Sequence, residues 1–229
     1  MGEMPFGDLA FLLAAGRAPT GPESVLFNAV LAALAEHGLT PTALAARLTY
    51  TGAPEAVQGA IAAGLLGGGS VFLGPVEDTA AFLEVVLTQV GTGAGREALA
   101  AAASAAVDSA IAAGRKVPGL GHPIHKETDP RTPRLYELAR ANGLLGPHME
   151  LLQLVSEAHE SRTGRSLPIN GAGAGGAALA DLGFAPFLAR GFALLARTAG
   201  LIGHLSEESE RPIGMRLWKE IDDRAGGQG

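Results

Sequence analysis

The chain has 229 residues and a formal net charge of −6, with 17 Lys and Arg against 23 Asp and Glu, the opposite of what a nucleic-acid-binding face carries, so no nucleic acid is expected as a partner. There is no cysteine, which excludes thiol nucleophiles, disulfides and zinc–thiolate sites. Hydrophobic residues at 47% against 17% charged exclude a disordered chain, and 5% aromatics with 33 glycines predict a core of Ala, Leu and Val with close backbone approach. No apolar run reaches the ~20 residues of a membrane span and the start has no basic leader, so a soluble cytoplasmic protein with no membrane partner is expected.

In chain order, Ser24–Glu36 places Val25, Leu26, Val30, Leu31 and Leu34 near helical spacing, with Ser24 as the expected N-cap and Gly38 as the stop. Thr40-Pro41 repeats a cap followed by proline and opens a helix through Ala45 and Leu48. Gly67-Gly68-Gly69-Ser70 breaks the chain after a further helix. Val76–Val90 presents Val76, Ala80, Leu83 and Leu87 on one face, and Glu97–Ala113 is alanine-rich, suited to tight helix packing. Val117–Arg131 is helix-poor, with three prolines, before Thr132-Pro133 opens a helix through Tyr136 and Leu138. Met149–Glu160 and Phe187–Leu205 read as helices on either side of a Gly-rich break at Leu167–Gly176. No series of alternating strands occurs, so the fold class is all-α with roughly eight to ten helices.

Charge concentrates between Arg115 and Arg134. Arg115, Lys116, Lys126, Arg131 and Arg134 stand there with His122 and His125, opposed only by Glu127 and Asp129. A cationic stretch in an anionic chain suits an anionic small molecule, though a solvated loop would look the same. Arginine outnumbers lysine 14 to 3, and Arg131, Arg197 and Arg211 could clamp a polycarboxylate through their planar forks. None of the six histidines falls in an HExxH pattern, and no metal site is expected. Gly171, Gly173 and Gly176 match GxGxxG literally, but only Leu167-Pro168-Ile169 precedes them, and Arg190 and Arg197 stand where the ribose carboxylate belongs. A nicotinamide oxidoreductase is therefore the last of the readings. The glycines more simply let backbone approach a ligand or a helix.

Val117-Pro118-Gly119-Leu120-Gly121-His122, followed by Lys126-Glu127-Thr128-Asp129-Pro130-Arg131, resembles the signature of the citrate synthase superfamily. Ala178–Phe184 is similar to the helix after that family's active-site loop, Arg197–His204 to its Arg–small–Gly helix, and Glu210-Arg211-Pro212 to its C-terminal arginine motif. Upstream, Glu36-His37-Gly38 resembles the family's Asp-His-Glu or Asp-His-Gly site, and Asp8–Thr20 an early helix and turn. Gly64-Leu65-Leu66 with Phe72, and Val71 or Phe72 where the synthases have a histidine, resembles the short citryl-CoA lyase-like branch, which includes the C-terminal part of ATP-citrate lyase.

The resemblance implies a citrate synthase-like helical fold with an interdomain cleft. Its large domain would be residues 1–70 and 185–229, truncated at its N-terminus, and its small domain residues 71–184. It implies a carbon–carbon lyase that cleaves citryl-CoA, or a related 3-hydroxy-3-carboxyacyl-CoA, to acetyl-CoA and oxaloacetate. His122 and His37 would be catalytic, and His37, His122, Arg131, Arg197 and Arg211 would hold substrate. Coenzyme A would enter only as the acyl-CoA substrate, along Val117, Pro118, Gly119, Leu120 and Gly121 with Lys126 near its phosphates. The assembly would be a homodimer with Arg211 reaching across. One departure stands out: Ala172 occupies the position of the family's proton-transferring aspartate. A water, or Glu77 or Asp181, could serve instead. Otherwise the chain is a non-catalytic relative that binds CoA esters or di- and tricarboxylates.

Overall fold

The computed structural model describes residues 2–91 and 93–226. Among them lie eleven α-helices and no β-strand, as the all-α reading expects, with one isolated antiparallel bridge between Leu120 and Ile169. The helices are α1 (Phe6–Ala15), α2 (Gly21–Ala35), α3 (Pro41–Gly52), α4 (Val57–Leu66), α5 (Gly74–Val90), α6 (Arg96–Ala112), α7 (Arg131–Ala141), α8 (Pro147–Thr163), α9 (Gly171–Asp181), α10 (Pro186–Glu210) and α11 (Gly214–Gly226). No helix among the described residues is long and apolar enough to cross a membrane.

Three helix starts differ in kind. Thr40 precedes Pro41 at the first turn of α3 with extended φ and ψ, but its side chain makes no capping hydrogen bond and meets Thr42 Oγ1 at 2.9 Å instead, so only the proline half of the pattern is realised. For α2 the expected cap, Ser24, lies inside the helix and donates to Asp8 at 2.7 Å. The N-terminus is closed instead by a reciprocal pair: Glu23 N–H donates to Thr20 Oγ1 at 3.3 Å and Thr20 N–H to the Glu23 carboxylate at 2.8 Å. Thr20-Gly21-Pro22-Glu23 is thus a capping box, and it moves the start upstream of the apolar stripe. The third, α9, begins inside the stretch that its glycines mark as a break: Asn170 caps it, accepting from Gly173 N–H at 2.8 Å.

The chain forms two compact units, one of residues up to Leu34 with Leu73–Ala193, the other of Ala35–Phe72 with Leu194 onward. The grouping implied by the family resemblance instead joins residues 1–34 and 185–193 to the segments of the second unit. In the first unit Phe11, Phe27, Phe184 and Phe192 make a cluster of rings with centroids 4.8 to 5.8 Å apart, edge-to-face except for the tilted Phe27–Phe184 pair. There α9 lies so close to α5 that a Cβ on Gly176 would fall 2.3 Å from the Val76 carbonyl oxygen. The second unit is built on Ala46, Ala60, Leu201 and Leu205, with Tyr50, Ile61 and Leu65 packed against them. Small residues again set the spacing: a Cβ on Gly200 would meet the Ala35 carbonyl oxygen at 2.0 Å.

Candidate active site

In the first unit the helix-poor segment between α6 and α7 is fastened at both ends to the four residues that lead into α9. Gly119 and Gly121 take φ of +83° and +79°, a left-handed conformation that costs other residues. Their turn lets Gly121 N–H donate to Pro168 O at 2.8 Å, Asn170 N–H to Gly119 O at 3.0 Å, and Asn170 Nδ2 to Gly121 O at 2.8 Å. At the far end Gly171 N–H donates to Asp129 Oδ2 at 2.7 Å and Thr132 Oγ1 to Ile169 O at 2.8 Å. Residues 122–128 therefore arch between two anchors that are only a few residues apart on the other strand of chain.

His122 Nδ1 accepts the backbone N–H of Ile124 at 3.1 Å and of His125 at 2.9 Å. With Nδ1 an acceptor, the proton of the neutral ring resides on Nε2, which makes His122 a hydrogen-bond donor toward a carbonyl or hydroxyl oxygen. The His125 ring lies against it, centroids 4.5 Å apart and tilted by 33°. Lys126 Nζ donates to His122 O at 3.2 Å from an exposed position. Within the segment expected to receive CoA, Val117 and Gly119 are buried, while Pro118, Leu120 and Gly121 are partly exposed.

Arg131 is held by a fully buried Asp129: Nε to Oδ1 at 2.9 Å and Nη2 to Oδ2 at 2.6 Å, with Nη1 donating to Ala33 O at 3.2 Å. Burial alone would raise the Asp129 carboxyl, but the hydrogen bonds from Arg131 and Gly171 and the Arg131 charge outweigh it and hold the group far below the usual carboxylate range. Arg131 is thus an oriented donor whose charge is already balanced. A Cβ on Gly171 would stand 2.4 Å from Arg131 Nε, so glycine there is what admits the guanidinium. His122, His125 and Asp129 offer ligand atoms within 4.8 Å of one another. As a cation site they fit poorly, because His122 Nδ1 and both Asp129 oxygens already accept N–H groups and an ion would have to displace Arg131.

The GxGxxG match is not a phosphate loop. Gly171, Gly173 and Gly176 lie in α9, no strand precedes it, and a Cβ on Gly173 would fall 2.6 Å from Gly119 Cα. These glycines serve close packing, the simpler of the two readings. Ala172 sits partly exposed in the first turn of that helix. Neither suggested replacement for the aspartate is uncommitted. Asp181 is spent on the start of α8, accepting Gly146, His148 and Met149 N–H at 2.9 to 3.2 Å and His148 Nδ1 at 2.9 Å. Glu77 pairs with Arg190 at 3.4 Å.

In the second unit Glu36-His37-Gly38 forms a turn with Gly38 at φ +71°, and Gly38 N–H donates to the Glu36 carboxylate. The same carboxylate receives His204 Nε2 at 3.0 Å. His204 Nδ1 in turn accepts from Arg47 Nη2 at 3.0 Å, and Arg47 Nη1 pairs with Glu208 at 3.1 Å. Arg47 also bonds Glu207, and Arg47 and Glu208 are each only 2% exposed. Glu208 closes the array by accepting Ile213 and Gly214 N–H at 2.9 and 2.8 Å. The sequence pattern points to His37 and does not single out Arg47 or Glu208; the available signal is an arginine inside an Ala-rich helix and a His204–Glu208 pair one turn apart. Arg197 is buried on α10, and Arg211 is 78% exposed, its Nη2 3.6 Å from Glu207.

The family described as "Citrate synthase, C-terminal domain" matches residues 5–218 of this sequence. The chain belongs to the citrate synthase family. Within it the chain falls with the citryl-CoA lyase-like branch. It is similar to citryl-CoA lyase from Hydrogenobacter thermophilus, at 31% identity and a TM-score of 0.80 over 90% of this chain and 77% of that one. The fold is shared with ATP citrate lyase from Methanothrix soehngenii in complex with citrate and coenzyme A (23% identity, TM-score 0.74, 91% of this chain and 35% of that one). It is shared also with citrate synthase from Thermoplasma acidophilum, solved with carboxymethyl coenzyme A and oxaloacetate (18% identity, TM-score 0.74, 92% and 55%). No curated protein sequence matches the chain. The citrate synthase family thus accounts for the helical architecture.

Proposed function

We propose that the chain is a citryl-CoA lyase-like enzyme that cleaves citryl-CoA, or a related 3-hydroxy-3-carboxyacyl-CoA, to acetyl-CoA and oxaloacetate. The observation that carries the reading is the His122 tautomer. Two backbone N–H groups occupy Nδ1, so Nε2–H is a fixed donor for the oxygen on which charge develops as the carbon–carbon bond breaks. Arg131, oriented by Asp129, takes a substrate carboxylate; in the second unit His37 and Arg197 are the substrate-binding residues. Val117–Gly121 and Lys126 receive the CoA portion. Its 31% identity to a citryl-CoA lyase supports lyase over synthase, and so does Ala172: water can deliver the proton that cleavage returns to the enolate carbon, whereas synthesis needs a base to remove one from a methyl group. The protein acts in the cytoplasm as a homodimer in which Arg211, exposed on its own chain, reaches the partner's site.

The test follows citryl-CoA cleavage by coupling released oxaloacetate to NADH oxidation through malate dehydrogenase. Turnover is expected in the native protein, with a loss of ~10²-fold or more in His122→Ala. Ala172 also favours a second reading, a binding protein for CoA esters or di- and tricarboxylates. That reading prevails if citrate or CoA raises the melting temperature and no variant turns over.

A further inference from the structure

We propose that His125 is the proton carrier of this site, doing the work for which Ala172 has no side chain; the inference rests on the citryl-CoA lyase reading. Its basis is placement. The arch of residues 122–128 is tied to Pro168 and Asn170 at one end and to Gly171 at the other, so both of its ends are fastened at the start of α9, in whose first turn Ala172 lies. His125 contributes a ring nitrogen within 4.8 Å of an Asp129 carboxylate oxygen, and that carboxylate is itself 2.7 Å from Gly171 N, the residue before Ala172.

The neighbouring groups are excluded by their own bonds. Asp129 is kept ionised by Arg131 and cannot donate a proton. Asp181 caps α8 and Glu77 pairs with Arg190. His122 would lose two backbone hydrogen bonds by accepting a proton on Nδ1, and Nε2 already holds one. His125 is the remaining imidazole of the arch, and an imidazole nitrogen can accept a proton and hand it on.

A single ring then serves both halves of the reaction. Neutral His125 accepts the proton of the tertiary hydroxyl, and the oxygen's electron pair forms the carbonyl of oxaloacetate. The carbon–carbon bond breaks and its pair passes to the acetyl-CoA enolate. The His125 imidazolium returns the same proton to the enolate carbon, giving the methyl group. No proton is gained or lost, and no oxidant or metal enters the balance.

His125→Gln and His125→Ala, each first shown to melt within a few degrees of the native protein, are assayed for citryl-CoA cleavage beside Ala172→Asp placed in the His125→Gln background. A kcat lowered ~10²-fold or more at nearly unchanged KM, with at least a tenfold return on adding Ala172→Asp, is the expected result. Native turnover with kcat within threefold in both His125 variants overturns the proposal and leaves the lyase reading standing. So does a rise in KM alone with no return from Ala172→Asp, which would make His125 a ligand contact. A native protein that does not turn over removes the lyase reading itself, and the proton carrier with it.

Discussion

Each unit contains an arginine locked to an acidic side chain, and the two are assembled in opposite ways. Asp129 and Arg131 are two residues apart, and most of what orients them comes from the same short segment and the start of α9. Arg47 meets His204 and Glu208 across 157 and 161 residues of sequence, joining α3 to α10. A local pair can be written as a motif and copied whole. A distant pair exists only once the helices that carry it have packed, so it reports on the fold rather than on a sequence signature.

The difference can be broken most forcefully at Arg47. Arg47→Ala leaves Glu208 buried without its guanidinium and is expected to cost about 3–5 kcal/mol in a denaturant titration, whereas Arg47→Met with Glu208→Leu should cost less than either single change. Additive losses in that double variant would mean that the two side chains do not act as a pair. A smaller effect sharpens the view that the local site depends on helix spacing. Gly176→Ala pushes a methyl group into the Val76 carbonyl and should cost about 1–3 kcal/mol or more. Gly191→Ala, in α10 with open space around its Cβ, should instead stabilise by up to ~1 kcal/mol. Equal melting temperatures for these two variants would remove the close-approach argument.

How legible each region was follows from the same contrast. The all-α class, most helices, and the run from Val117 to Arg131 were readable because apolar spacing, prolines and neighbouring residues encode them locally. The start of α2 was misplaced at Ser24 because the apolar stripe begins later than the capping box at Thr20 and Glu23. The sequence of α9 reads as a break because four of its eleven residues are glycine, which disfavours helix in isolation; packing on α5 and the Asn170 cap override that preference. Arg47 and Glu208 were invisible because nothing near either one names the other.

The smallest expected effect concerns acid. Glu23 is held down to about 2 by its hydrogen bond from Arg17, which outweighs burial, with the Thr20 backbone and hydroxyl groups adding to it. Because the folded value lies below the ordinary one of 4.5, the stabilisation is present in full above that pH and is lost as pH falls through about 2. Arg17→Ala should therefore lower the melting temperature by a few degrees at most near pH 6, with the gap to native protein closing toward pH 2. A gap that is constant with pH would assign the loss to something other than Glu23.

The four glycines of α9 also carry a consequence for how this chain can change over generations. A peptide covering residues 167–184 has too little intrinsic helicity to hold its shape, so the helix exists only as part of its unit. Gly171 makes room for Arg131, Gly173 for Gly119 and Gly176 for Val76, so at three positions even one added carbon is resisted by a different neighbour. None of the three carries a functional group. Substitution there is nonetheless closed off, and drift in this region is left to partly exposed residues such as Ala172.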